Sequence, residues 1–125
     1  MKILVVEDNE ALRDVLARIL ERMGYVPILA GHGKEGLDKA IAEKPNLIIL
    51  DMMMPVMDGW ETARAVRANP DAKNIPILAT TALSRPRELK SCLDAGCNGY
   101  IVKPFSVRNL QRKIGELLAA PIAKV

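Results

Sequence analysis

Aromatic residues are scarce in this chain of 125 residues, and their shortage excludes a class of binding protein. Only 3% of the residues are Phe, Trp or Tyr, so the stacking platforms on which single-strand nucleic-acid binders rely are missing. The formal net charge of +3 is also mild, whereas affinity for nucleic acid depends on many cationic contacts to phosphate. We therefore expect no nucleic acid among the partners.

Cysteine and long hydrophobic runs are rare as well. Cys92 and Cys97 have no second cluster of Cys or His with which to complete a zinc site, so we interpret both as free thiols. The opening apolar run turns acidic at Glu7 and Asp8, which makes it too short for a signal peptide or a membrane span. We expect a cytoplasmic protein with no membrane partner.

The length and composition fit one ordinary domain. Half of the residues are hydrophobic and 26% are charged, which is typical of a globular protein with a buried core. No internal repeat and no linker rich in Pro, Gly or Ser divides the chain. We predict a single domain over residues 1–120, followed by a short tail over residues 121–125. Since no effector domain follows residue 120, we expect any output to pass through binding in trans.

Short apolar runs typical of strands alternate along the chain with segments whose apolar residues have helical spacing. Short apolar runs predict buried strands, and they cover residues 3–6, 26–30, 47–50, 75–79 and 100–102. Between the first two runs the apolar residues share one helical face, namely Leu12, Val15, Leu16, Ile19, Leu20 and Met23. Gly24 then stops this helix. Asp58 is the expected cap of the third helix, and Ser84 that of the fourth, with Pro86 in its first turn.

Five consecutive strand–helix units predict an α/β fold. Right-handed crossovers place helices on both faces of a parallel sheet, so the domain should have three layers. By analogy with doubly wound proteins of this length, we expect the flavodoxin-like strand order 2-1-3-4-5.

Polar side chains follow four of the five predicted strands where each strand ends. They are Glu7 and Asp8, Asp51, Thr80 and Thr81, and Lys103. The carboxyl ends of parallel strands meet at one edge, beside the point where strand order reverses. Clustered carboxylates repel one another unless a cation compensates, and oxygen ligands of this kind suit Mg²⁺. Lys103 and Thr81 could hold a phosphoryl group, and Asp51 could be its nucleophilic acceptor.

With these residues the chain resembles the receiver domains of two-component response regulators, in particular single-domain regulators of the chemotaxis type. The matching segments are 7–9, 51–59, 81–82 and 99–105, in the same order. The resemblance implies that Asp51 accepts a phosphoryl group. It implies Mg²⁺ binding by Glu7, Asp8, Asp51 and the backbone carbonyl of Met53. It also implies that Lys103 bonds the phosphoryl group and that Lys103-Pro104 is a cis peptide.

Further roles follow only from the resemblance. Thr81 and Tyr100 match the signalling pair, and Met53 and Leu83 match positions that tune dephosphorylation. The donor would be a histidine kinase or a histidine phosphotransfer protein. The fourth helix, fifth strand and fifth helix would bind a downstream target, and their basic residues are either solvated or part of that docking surface. We expect a monomer or weak dimer that assists its own phosphorylation and dephosphorylation but is otherwise not an enzyme.

Two other functions compete with this interpretation. The segment Gly31-His-Gly33-Lys-Glu-Gly36 matches a dinucleotide-binding fingerprint between a strand and a helix. However, a full strand–helix unit precedes it, too few units follow it, and it leaves Glu7 and Lys103 unexplained. A pseudo-receiver that binds partners without phosphate is the second alternative, and the complete acidic set argues against it.

Overall fold

Five parallel strands organise residues 1–119, which are the residues that the structure, a computed structural model, describes. The strands are β1 (Lys2–Val6), β2 (Val26–Ala30), β3 (Leu47–Asp51), β4 (Ile77–Thr81) and β5 (Gly99–Val102). Their order is β2-β1-β3-β4-β5, which confirms the predicted fold class and topology. The predicted tail over residues 121–125 lies outside the described residues.

Five helices cover the two faces of the sheet. They are α1 (Glu10–Arg22), α2 (Gly33–Glu43), α3 (Gly59–Ala68), α4 (Pro86–Asp94) and α5 (Val107–Ala119). Alternate strand residues point to opposite faces. Hence Leu4 packs in the core beneath α2, α3 and α4, whereas Ile3 packs in the core beneath α1 and α5. None of the helices within residues 1–119 is long and apolar enough to cross a membrane.

Two helix boundaries follow the predicted local chemistry. The Asp58 carboxylate accepts the Glu61 backbone N–H at 2.9 Å, and the Glu61 carboxylate accepts the Asp58 N–H at 3.2 Å, so a capping box begins α3. Helix α1 ends at Arg22, and Gly24 follows with φ of +92°, a conformation that glycine adopts without steric cost.

The predicted starts of β4 and α4 were wrong, and the predicted end of β4 was two residues short, while β1, β3 and β5 each extend one residue beyond the predicted run. Strand β4 begins at Ile77 rather than residue 75, because Asn98 pairs with Ile77 through both its side chain and its backbone N–H, each at 2.8 Å. Helix α4 is capped by Arg85 rather than Ser84. The Glu88 carboxylate accepts the Arg85 N–H at 3.1 Å, and Pro86 occupies the first helical turn, so the helix starts one residue later than expected.

Arg67 holds together the loops at the edge of the sheet where β4 and β5 begin. From α3 its guanidinium donates to the carbonyl oxygens of Gly96 (2.9 Å), Lys73 (3.0 Å) and Ile75 (2.8 Å) and to the Asn98 side-chain oxygen (2.6 Å). A guanidinium offers five N–H donors in a fixed plane, which suits this convergence of acceptors. One side chain thus connects the α3–β4 loop to the α4–β5 loop.

We predict that Arg67→Met lowers the free energy of unfolding by about 2 kcal/mol, because several carbonyl oxygens lose a charged donor. Chemical denaturation monitored by circular dichroism measures this loss. The matched control is Arg64→Met, which changes an exposed arginine on the same helix. Equal stability losses in the two variants would show that the loop contacts of Arg67 contribute nothing specific.

Candidate functional site

The parallel register brings four strand ends to one edge of the sheet. Val6 of β1 is level with Leu50 of β3, so Glu7 and Asp51 follow on neighbouring strands at the same height. Asp51 is level with Thr80, and Thr81 with Val102, so Lys103 also follows at this edge. The acidic, hydroxyl and basic side chains therefore meet at the carboxyl ends of the strands, as the sequence predicted.

Three carboxylates converge at this edge. Glu7, Asp8 and Asp51 each offer an oxygen, and these oxygens all lie within 4.8 Å of one another. Glu7 is only 2% exposed and Asp51 only 4%, whereas Asp8 is exposed. Lys103 extends its ammonium between the two buried groups, 3.2 Å from Glu7 Oε1 and 3.4 Å from Asp51 Oδ1. One lysine against three carboxylates leaves a net negative charge that a divalent cation would balance.

Burial raises the pKa of the Glu7 carboxyl, and the nearby charge of Asp51 adds to that rise. The Asn9 backbone N–H, which donates to Glu7 Oε2 at 3.1 Å, and the charge of Lys103 act in the opposite direction. Repulsion and desolvation therefore already disfavour the ionised cluster in the absence of a metal. The donor set consists entirely of oxygen, which fits a hard ion such as Mg²⁺.

The loop after β3 is held close to Asp51. The Met53 backbone N–H donates to Asp51 Oδ1 at 3.1 Å, and the Gly59 N–H donates to the Met52 carbonyl at 3.0 Å. A Cβ atom at Gly59 would stand 2.7 Å from the Asp51 carbonyl oxygen, so only glycine allows α3 to start this close. The start of α3 thus fixes the backbone that carries Met53, whose side chain is 55% exposed.

Thr81 is fully buried beside the cluster. Its hydroxyl oxygen accepts the Leu83 N–H at 3.0 Å, and its carbonyl accepts the Lys103 N–H at 2.7 Å. The Lys103-Pro104 peptide bond is cis. Tyr100 is half-buried on β5, and the Lys113 ammonium lies 5.6 Å from the centre of its ring. Lys103 thus reaches the cluster from the end of β5, and Thr81 lies at the end of the adjacent strand β4.

Val56 is a feature of this loop that the sequence did not reveal. Its backbone has φ of +68° and its side chain is fully exposed, at 102%. A left-handed backbone costs an L-residue about 1–2 kcal/mol, and a β-branched residue adopts it rarely. No sequence signal pointed to this conformation, because valine favours extended backbone.

In the glycine-rich segment 31–36, side chains of the segment itself accept two of its backbone N–H groups. The Glu35 carboxylate accepts the Gly31 N–H at 2.7 Å, and His32 Nδ1 accepts the Glu35 N–H at 3.2 Å, capping α2. A Cβ at Gly36 would approach Val6 to 2.7 Å, so this glycine serves helix–strand packing. The Glu35 carboxylate thus occupies an amide that a dinucleotide pyrophosphate would need, which argues against the nucleotide-binding alternative.

Comparison of the sequence with known families gives one match over most of the chain. The model of the response regulator receiver domain matches residues 3–115. The response regulator MprA of Mycobacterium avium is 41% identical over 118 residues, which are 94% of this chain and 51% of that protein. The chain thus spans about half the length of the curated relatives it matches.

Solved structures with the same fold are also similar in sequence. The chemotaxis protein CheY4 of Vibrio cholerae has a TM-score of 0.88 at 34% identity, covering 93% of this chain and 97% of that one. The receiver domain of the sensor histidine kinase PA1611 from Pseudomonas aeruginosa has a TM-score of 0.88 at 33% identity, covering 95% of this chain and 98% of that one. In that structure a magnesium ion is coordinated in the active-site cleft.

Proposed function

Since this chain belongs to the response regulator receiver family, we propose that its phosphorylation-dependent switch uses Asp51 as the acceptor. The observation that carries the proposal is the position of Asp51, which is buried among carboxylates with the Lys103 ammonium 3.4 Å away. This arrangement keeps an anionic nucleophile beside a cation that can receive phosphoryl oxygens. Phosphorylation by a partner is therefore the chemistry that the site supports best.

Mg²⁺ is the cofactor that we propose for this site. Asp8, Asp51, the backbone carbonyl of Met53 and, through water, Glu7 would hold it. The magnesium ion of the Pseudomonas receiver supports this choice, as does the all-oxygen donor set. When bound, it supplies positive charge that offsets the carboxylates and the phosphoryl oxygens.

The transfer requires little covalent chemistry from the protein. A carboxylate oxygen of Asp51 forms a bond to phosphorus while the bond between phosphorus and the donor nitrogen breaks, and the donor keeps that electron pair. We propose a phosphohistidine of a histidine kinase or histidine phosphotransfer protein as the donor. Lys103 moves its ammonium from the hydrogen bond with Glu7 and the ion pair with Asp51 to the phosphoryl oxygens, where a charge-assisted bond is strong.

We propose that Thr81 and Tyr100 transmit the event to the surface formed by α4, β5 and α5. The Thr81 hydroxyl gives up the Leu83 N–H and bonds the phosphoryl group on Asp51. The space that it leaves allows Tyr100 to turn inward from its half-buried position. The two arrangements of Thr81 and Tyr100 would both exist before phosphorylation, and the phosphoryl group would shift the population toward one of them.

Output would pass through the same surface to a downstream target protein bound in trans, with the receiver acting as a monomer or weak dimer. Its basic residues include Lys113, which faces Tyr100, and Arg112, which pairs with Glu116 at 3.0 Å. An acidic partner surface would complement the basic residues of this surface that form no ion pair within residues 1–119. A cytoplasmic location would suit a protein with such a phosphoryl donor, and the site would assist only its own phosphorylation and dephosphorylation.

We predict that acetyl phosphate labels the wild-type protein only when Mg²⁺ is present, which intact mass spectrometry detects as one added phosphoryl group. Asp51→Asn should take up none, because it lacks the nucleophilic oxygen. Asp58→Asn is the matched control in the same loop, since asparagine caps helices as well as aspartate does. Undiminished labelling of the Asp51 variant would place the acceptor elsewhere.

We expect Asp8→Ala to reduce Mg²⁺ binding below detection in a calorimetric titration, and Glu7→Gln to weaken it less. Asp8 is exposed and available to the ion, whereas the Glu7 carboxylate already accepts bonds from Lys103 and Asn9. Asp14→Ala on α1 is the control for a lost surface carboxylate. Equal Mg²⁺ affinities in the wild type and the Asp8 variant would refute this assignment of the ligands.

Beryllofluoride with Mg²⁺ should shift the amide resonances of α4, β5 and α5, because it mimics the phosphoryl group on Asp51. In Thr81→Val the analogue should still bind, but these shifts should shrink, since valine offers no hydroxyl to move. Resonances of α2, remote from Thr81, serve as the internal reference. An unchanged spectrum of the α4–β5–α5 surface in the wild type would contradict the proposed switch.

Met53 and Leu83 should give the phosphorylated form a long lifetime. Hydrolysis of an acyl phosphate needs a water molecule aligned with the phosphorus–oxygen bond, and a positioned nucleophile lowers the barrier. Met53 is 55% exposed and Leu83 half-buried beside the site, and neither side chain can orient water by hydrogen bonding. Polar side chains at these positions would supply that orientation.

We therefore expect Met53→Asn with Leu83→Glu to release phosphate roughly ten- to hundredfold faster than the wild type, corresponding to about 1.4–2.8 kcal/mol. Release of inorganic phosphate from purified phosphoprotein gives both rates. Leu93→Glu adds the same acidic group at an exposed position of α4 and should change nothing. A double variant that dephosphorylates no faster than the wild type would show that these residues do not set the lifetime.

A further inference from the structure

The Lys113 side chain lies over the ring of Tyr100. Its ammonium is 5.6 Å from the centre of the ring, and a cation within about 6 Å of a ring centre is attracted by the electron-rich face. Within residues 1–119 Lys113 forms no ion pair, whereas Arg112 beside it pairs with Glu116 at 3.0 Å. Among the described residues, the Tyr100 ring is therefore the group that holds the Lys113 ammonium.

This contact depends on where the Tyr100 ring lies. The ring is half-buried on β5, which is an edge strand of the sheet, and Lys113 reaches it from α5. In the proposed switch the ring turns inward, toward the space that the Thr81 hydroxyl leaves. An ammonium that followed the ring into the core would lose its hydration without gaining a charged partner, which is costly. The contact therefore belongs to the outward position of Tyr100 alone.

We infer that Lys113 is a positioning residue that holds Tyr100 outward and so opposes the change that phosphorylation brings about. This role rests on the proposed function and adds to it a residue that sets the balance between the two states. A contact made in only one of two states shifts the population toward that state. A ligand of Asp51 that selects the inward state must then bind against this contact, and its affinity is lower in consequence.

The test measures the dissociation constant of beryllofluoride at saturating Mg²⁺, from the populations of free and bound amide resonances. Lys113→Gln removes the cation, and Lys113→Arg keeps a cation that can lie over the ring. Lys73→Gln is the matched control, because it removes the charge of an exposed lysine in the loop between α3 and β4.

Lys113→Gln should bind beryllofluoride about two- to fivefold more tightly than the wild type, which is the factor expected for one partly exposed cation–π contact. Loss of a positive charge by itself would weaken the binding of an anion, so tighter binding separates the ring contact from general electrostatics. Lys113→Arg should keep the wild-type dissociation constant. Lys73→Gln should bind no more tightly than the wild type.

A double-mutant cycle with Tyr100 shows whether Lys113 acts through the ring. Tyr100→Phe keeps the aromatic face, so Lys113→Gln should still tighten binding in that background. Tyr100→Leu removes the face, and there Lys113→Gln should change nothing. A role of Lys113 in the stability of α5 alone would give the same effect in both backgrounds.

Two results would overturn the inference. The first is a Lys113→Gln variant that binds beryllofluoride as the wild type does or more weakly. The second is equal tightening in the Tyr100→Phe and Tyr100→Leu backgrounds, which would place the effect of Lys113 outside the ring contact. Failure of the proposed function is distinct, because then the wild type itself would not bind beryllofluoride, and the inference would fall with it.

Discussion

An uncompensated negative charge at the carboxyl edge of the sheet is the constraint on which the rest of the site depends. Three carboxylate oxygens lie within 4.8 Å of one another, two of the carboxylates are almost completely buried, and one lysine faces them. Such a cluster is unfavourable in isolation, and burial, with a smaller contribution from the charge of Asp51, raises the pKa of Glu7. A divalent cation would offset this charge, and the cation and the Lys103 ammonium together would hold a phosphoryl group.

In a parallel fold, few sequence features are needed to build this cluster. Each of four strands ends at the same edge, so one polar residue after each hydrophobic run is enough to build the cluster. The packing around the site then fixes its details. Gly59 lets α3 begin against the Asp51 backbone, and the Lys103 N–H bonds to Thr81 across the adjacent strands. The same bond connects the carboxyl end of β4 to the end of β5, the strand that carries Tyr100. A change at Thr81 would therefore reach Tyr100 through two adjacent strands.

The sequence was informative where the signal was local or repeated. Hydrophobic runs of Ile, Val and Leu located the strands, and the polar residues after them identified the cluster. The sequence failed to predict local structure where tertiary contacts determine it. Asn98 lies 21 residues from Ile77, and its pairing there moves the start of β4. The four acceptors of Arg67 come from two distant loops, and the left-handed backbone at Val56 contradicts the preference of its own residue type.

A crystal structure of the protein with Mg²⁺ and beryllofluoride tests the central claim most directly, because it shows which groups balance the negative charge of the cluster. The account predicts beryllofluoride on a carboxylate oxygen of Asp51, with the Lys103 ammonium and the Thr81 hydroxyl bonded to its fluorine atoms. It also predicts the metal on Asp8, Asp51 and the Met53 carbonyl. Beryllofluoride on another side chain, or Lys103 still paired only with Glu7 and Asp51 beside a bound analogue, would contradict it.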